Sequence, residues 1–119
     1  MNFCNAYIKA IGGYVPPYIL SKQELERSLN TTSQWILERT GIQNRHIAKN
    51  PSAATSTLAT LAIKNLLENY KINPYEIDCL FLATTTPDYG LTPTSSIICE
   101  NLNLKNAWAT DLNGACCGF

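Results

Sequence analysis

Ile77-Asp78-Cys79-Leu80-Phe81-Leu82-Ala83-Thr84 is a nearly continuous apolar run with no polar alternation. A strand buried on both faces reads this way, and such strands belong to parallel sheets covered by helices. Upstream of it, Leu58, Leu61, Ala62 and Leu66 recur three or four residues apart. That spacing predicts a helix from about Thr55 or Ser56 with one stripe facing a core, ending by about Tyr70 before the Asn73-Pro74 turn. Downstream, Thr92-Pro93 is a suitable N-cap and N1 pair for a helix running to about Leu102. Ala107 to Leu112 then reads as a second short buried strand. Strand, helix and strand joined by a right-handed crossover give an α/β layered domain with a mostly parallel sheet flanked by helices.

Before this unit, Tyr7 to Ile11 reads as a first strand, free to run antiparallel, closed by Gly12-Gly13 and the turn at Pro16-Pro17. Ser21 and Glu24 stand at capping-box spacing and open a short helix to about Leu29. Thr31 and Gln34 repeat the pattern and start a helix carrying Trp35, Ile36 and Leu37. Gly41 is placed to end it in a left-handed cap.

Of the 119 residues, 45% are hydrophobic, enough for a real core and too many for a disordered chain. Nine basic residues balance nine acidic ones. Nucleic acid is therefore an unexpected partner, because phosphate neutralisation needs an excess of Lys and Arg. A membrane surface is equally unexpected without a polybasic run. Met1-Asn2-Phe3-Cys4-Asn5 lacks the charged and apolar regions of a secretory signal, and the apolar runs are too short to span a bilayer. A cytoplasmic protein is the expectation.

The five cysteines are Cys4, Cys79, Cys99, Cys116 and Cys117. An odd count without C-x-x-C fits neither a disulfide framework nor a metal site, and no metal is expected. Cys4, Cys79 and Cys99 have apolar or small neighbours and read as small buried hydrophobes. The other two lie in Asn113-Gly114-Ala115-Cys116-Cys117-Gly118-Phe119, a passage of small residues after a strand. A helix starting there would put a cysteine at its amino-terminal end, where free N–H groups and the macrodipole favour thiolate. The same N–H groups could stabilise an oxyanion formed from a thioester carbonyl. The chain stops at Phe119, where that helix would begin, and is therefore read as the first part of a longer protein.

Three segments resemble those of type III ketoacyl synthases, also called 3-oxoacyl-[acyl-carrier-protein] synthases III. Asp111 to Phe119 is similar to their nucleophile segment, A-C-x-G-F. Trp35 to Ala48 resembles W-I-x-x-R-T-G-I-x-x-R, and Ile77 to Asp88 resembles I-D-x-x-x-x-A-T-x-T-x-D. The resemblance implies a thiolase-like fold, of which residues 1–119 form the amino-terminal domain without the carboxy-terminal half. It implies that Cys116 takes an acyl group, acetyl being the expectation, from acyl-coenzyme A. It also implies that Thr31, Trp35 and Arg39 line the coenzyme A site, with Trp35 stacked on adenine and Arg39 meeting the charged part. Coenzyme A enters as a substrate thioester, so no separate cofactor is expected. The second substrate implied is malonyl-acyl carrier protein, and the assembly implied is a homodimer. Condensation would yield the 3-oxoacyl chain that starts fatty acid synthesis.

The pattern departs from the family in three places. Tyr89-Gly90-Leu91-Thr92-Pro93 is one residue longer than in many relatives, where the loop crosses a dimer interface; Leu91 is the nearest candidate for that position. Cys117 stands beside Cys116, and only the family register ranks the two; Cys117 is expected to be a small packed residue. The histidine and asparagine that the family uses for decarboxylation lie beyond Phe119. His46, the only histidine, is expected to be hydrogen-bonded structure. Alternative readings are a catalytically incomplete fragment or interaction module with exposed apolar strands, a related thiolase-superfamily condensing enzyme, and a thiol redox protein using Cys116 and Cys117.

Overall fold

The computed structural model describes residues 6–50 and 52–118. It divides into two compact units: Val15–Ala53, and the chain up to Tyr14 together with everything from Ala54 on. Cys4 lies outside the described residues.

In the Val15–Ala53 unit, β1 (Ile19–Ser21) runs antiparallel to β2 (Asn44–His46), with Leu20 opposite Arg45. Bonds from Ile47 N to Tyr18 O and from Lys22 N to Gln43 O extend the ladder at both ends. Helices α1 (Lys22–Ser28) and α2 (Ser33–Thr40) lie between the strands in sequence. Ser21 ends β1 and caps α1 at once. Its hydroxyl accepts from Glu24 N at 3.2 Å, while the Glu24 carboxylate accepts from Ser21 N at 2.8 Å, the expected reciprocal box. These hydrogen bonds from Ser21 are the first cause of a Glu24 pKa below the usual carboxylate range. Gly41 ends α2 at φ 68°, as its position predicts.

The cap of α2 corrects the sequence reading. Thr32, not Thr31, is the N-cap, and its hydroxyl accepts from Trp35 N at 3.1 Å. Gln34 turns instead to Glu38 on the next turn of the helix. Either threonine could cap; the backbone bond from Ile36 N to Thr32 O fixes the later register. His46 behaves as expected, its Nδ1 donating to the Pro16 carbonyl at 2.6 Å.

The other unit holds α3 (Thr55–Tyr70), β3 (Cys79–Ala83), α4 (Thr94–Asn101) and β4 (Trp108–Leu112). The strands are parallel, with Phe81 opposite Thr110 and Ala83 opposite Leu112. This α/β arrangement with a parallel pair matches the fold read from the sequence. Asn73 caps a single 3-10 turn, Pro74–Glu76, that leads from α3 into β3. Helix α4 packs on α3 and on both strands, and the core gathers there: Ile98 and Leu104 with Leu67 of α3.

Four expectations change in this unit. Residues 7–11 form no strand, and Tyr7, Ile8 and Ile11 are exposed. An apolar run becomes a strand only when its backbone groups pair with a neighbouring strand, and this segment pairs with neither two-stranded sheet. Strand β3 is covered on one face only: Leu80 and Leu82 are half-buried, while Cys79, Phe81 and Ala83 are exposed. Phe81 meets Trp108 edge-on at 5.7 Å on that open side, and Cys79 is thus not a buried hydrophobe. On α3 the buried positions are Ser56 and Leu67, whereas Leu61 of the expected stripe is exposed. The helix is apolar on more than one side, so spacing alone did not choose the face. Finally, Pro93 occupies the N-cap of α4 rather than N1, and Thr92 makes no cap.

Candidate functional site

Cys116 sits in a single 3-10 turn, Ala115–Cys117, directly after the carboxyl end of β4. The turn is closed by Cys117 N to Gly114 O at 2.9 Å and Gly118 N to Ala115 O at 3.2 Å. Gly114 permits this closure, because a Cβ there would lie 3.0 Å from Gly118 N and 3.1 Å from Gly118 Cα. Ala115 is held at φ 47°, a left-handed conformation that costs a residue with a Cβ about 1–2 kcal/mol. Backbone strain next to a reactive side chain is a recurrent feature of functional turns. The thiols of Cys116 and Cys117 are both free and exposed, so Cys117 is not the packed residue expected from the sequence. A cavity of about 320 Å³ lined by Ala83, Thr84, Thr85, Thr86, Leu112, Gly114 and Ala115 adjoins the turn.

The neighbouring loop, 84–93, is held by a side chain of its own and by one from α3. Thr84 Oγ1 accepts from Thr86 N at 3.1 Å, and Thr55 Oγ1 donates to the Thr86 carbonyl at 2.6 Å. A second cavity, about 270 Å³, lies between this loop and β4 and reaches Tyr89, Leu91, Thr110, Asp111 and Asn113. Leu91, 99% exposed, projects from the loop into solvent.

Asp111 on β4 opens the segment that resembles the nucleophile motif, but the sequence assigned it no role. Its carboxylate accepts from Thr94 N at 2.7 Å and from Ser95 N at 2.8 Å, supplying the cap that Pro93 cannot. Partial burial raises its pKa, but the bonds from Ser95 and Thr94 outweigh that and bring it below the usual carboxylate range. The Ser95 hydroxyl adds to this by proximity, although it completes no well-formed hydrogen bond. Only the D-x-x-x-x-C spacing could have drawn attention to Asp111.

Thr31, Trp35 and Arg39 all belong to the Val15–Ala53 unit. Thr31 and Trp35 line one concavity of about 600 Å³ with Leu29, Asn30 and Thr32, whereas Arg39 lies one helical turn farther along α2 and outside that lining. Trp35 is 54% exposed, and the anchor of the helix is its neighbour Ile36, 5% exposed. Thr31 Oγ1 is buried with no hydrogen-bond partner. Indole faces suit stacking, and an exposed guanidinium suits phosphate. Among the described residues no group of histidine, cysteine and acidic side chains could hold a metal ion, and no helix is long and apolar enough to cross a membrane.

No protein-family model matches the chain. Fold and turn together define a thiolase-like α/β unit, and solved structures share it. The 3-oxoacyl-[acyl-carrier-protein] synthase III of Aquifex aeolicus superposes with a TM-score of 0.82 at 37% identity, over 93% of this chain and 36% of that one. The synthase III of Thermus thermophilus gives 0.82 at 34% identity, over 92% and 33%. In sequence, the beta-ketoacyl-[acyl-carrier-protein] synthase III of Phocaeicola vulgatus is 45% identical across all 119 residues. By sequence and by fold, the chain is similar to part of the beta-ketoacyl-[acyl-carrier-protein] synthases III. It spans about 36% of the length of the curated relatives it matches.

Proposed function

We propose that Cys116 is the nucleophile of a condensing acyltransferase. In this reading the thiolate attacks the thioester carbonyl of an acyl-coenzyme A, acetyl-coenzyme A foremost. The new carbon–sulfur bond forms as coenzyme A leaves as its thiol, the proton coming from Cys116. The acyl group then passes to the carbanion that malonyl-acyl carrier protein forms on losing carbon dioxide, giving a 3-oxoacyl product and expelling the Cys116 thiolate, which takes a proton from water. Splitting the reaction through a covalent intermediate makes each step easier than direct carbon–carbon bond formation.

One observation supports this reading above others: Cys116 is an exposed thiol in a tight, strained turn at the carboxyl end of a parallel strand. Thr31, Trp35 and Arg39 are assigned to coenzyme A, with the indole on the adenine and the guanidinium toward phosphate. The protein is proposed to work as a cytoplasmic homodimer that starts fatty acid synthesis.

The assay is incubation with labelled acetyl-coenzyme A followed by mapping of the adduct by mass spectrometry. In a complete version of the protein, a thioester on Cys116, lost in Cys116→Ser, is the expected result. Label on Cys117 that persists in Cys116→Ser would refute the assignment.

A further inference from the structure

Two carboxylates and one buried threonine tie the loop after β3 to the end of β4. The Asp111 carboxylate is shared between the first two amides of α4, Oδ2 with Thr94 N and Oδ1 with Ser95 N. Thr94 is 0% exposed, and its hydroxyl accepts from Asp88 N at 2.9 Å. Asp88 Oδ1 in turn accepts from Ser56 N at 3.0 Å, in the first turn of α3. Neither α3 nor α4 has a local side-chain cap, so each borrows a carboxylate from elsewhere in the chain. Thr94 is the residue through which the two borrowed caps meet.

We propose that Asp111 is a positioning residue for the nucleophile turn, holding the end of β4 so that the turn bearing Cys116 closes in one geometry. Thr94 extends the same hold to the loop 84–93. The proposal rests on the assignment of Cys116 as nucleophile and adds what keeps it in place. The connection is short. Leu112 O accepts from Thr84 N at 3.0 Å, and only Asn113 separates Leu112 from Gly114, whose carbonyl closes the turn. Asp111 therefore fixes the last residues of β4 from the α4 side, while the ladder fixes them from the β3 side. With the strand end held twice, Ala115 has little freedom to leave its left-handed conformation.

The substitutions separate the parts. Asp111→Asn keeps size and one acceptor oxygen but sets an NH2 group against an amide N–H, breaking half of the clamp. Thr94→Val keeps shape and the backbone bond to Asp111 but removes the acceptor of Asp88 N. Amide hydrogen exchange, read residue by residue on the full chain, reports each. In Asp111→Asn, Cys117 and Gly118 should exchange roughly tenfold faster or more, together with Thr94 and Ser95. In Thr94→Val, Asp88 should lose protection while Cys117 and Gly118 stay at wild-type rates.

Faster exchange confined to Thr94 and Ser95 in Asp111→Asn would overturn the proposal, since Asp111 would then be a helix cap and nothing more. Should Asp111→Asn not fold, Thr94→Val decides: joint loss of protection at Asp88, Cys117 and Gly118 denies Asp111 a separate hold. Acylation gives the functional arm, with a rate at saturating acyl-coenzyme A lowered about tenfold in Asp111→Asn and an unchanged half-saturating concentration. Full-length wild-type protein that takes no acyl group would sink the Cys116 assignment and leave the exchange result standing.

Discussion

Trp35 and Ile36 are adjacent in α2, and replacing each by alanine should give opposite outcomes. Ile36 is 5% exposed, so Ile36→Ala removes a packed side chain and should cost about 2–5 kcal/mol of stability. Trp35 is 54% exposed. A fully buried tryptophan removes roughly 150–250 Å² from water. Less than half of that is buried here, and at about 25 cal/mol per Å² the upper bound for Trp35→Ala is roughly 2–3 kcal/mol. Compactness of the unfolded chain lowers it further, to about 1–2 kcal/mol. Base–aromatic stacking contributes about 1–3 kcal/mol per base, so loss of the indole should raise the half-saturating acyl-coenzyme A concentration roughly 5- to 150-fold. The rate at saturation should hold, because stacking far from the reacting carbonyl stabilises ground and transition states alike. Thermal unfolding and the concentration dependence of Cys116 acylation measure the two quantities. A Trp35→Ala protein as unstable as Ile36→Ala, with its half-saturation unmoved, would show the indole to be a core anchor and refute the binding role.

Gly12→Ala should destabilise by about 1–3 kcal/mol in denaturant unfolding, because the new Cβ would lie 2.5 Å from Leu66 Cβ and 3.0 Å from Leu66 Cα. Lys71→Gly should stabilise by up to about 1 kcal/mol in the same measurement, since Lys71 caps α3 at φ 51°, where a side chain is strained. The Asp111 pKa is lowered on folding, so its contribution to stability is fully present above the ordinary carboxylate range and is lost as pH falls through the folded value. Unfolding followed from pH 7 into acid should therefore show a loss in wild type that Asp111→Asn lacks, the variant being the less stable of the two only at the higher pH.

The elements that the sequence made legible are those whose signals are local. The Ser21–Glu24 box, the left-handed stop at Gly41 and the turn at Asn73-Pro74 each involve residues a few positions apart, and each stands where it was read. The parallel pairing of β3 with β4 followed from apolar runs on either side of a helix. What could not be read depended on distant partners. Strands β1 and β2 are three residues each, too short for periodicity, and exist because residues 19–21 and 44–46 meet. Tyr7 to Ile11 carries the composition of a strand and forms none. Thr31 and Thr32 offered the same chemistry one residue apart, and the backbone register chose the second. Of the candidate site, Cys116, Thr31, Trp35 and Arg39 were all named from the family resemblance; Thr31 and Trp35 line one concavity, and Arg39, on the same helix as Trp35, does not line it.

Asp88 and Asp111 show why caps are harder to read than helices. A capping residue is normally sought within three positions of the first turn, and by that rule α3 and α4 have none: Ala54 and Pro93 stand at their N-caps without a side-chain bond. Asp88 lies 32 residues after Ser56, and Asp111 lies 17 after Thr94, so neither pairing leaves a local trace. The distance has a consequence for the site. A local cap stabilises only its own helix, whereas a carboxylate lent by β4 couples the start of α4 to the strand end that feeds the Cys116 turn. Such a residue is tied to the turn's geometry as well as to the helix, and it should tolerate substitution less well than a surface cap. On that argument Asp111→Ala should lose more than the roughly 1 kcal/mol typical of a local cap, with the excess appearing as exchange at Cys117 and Gly118.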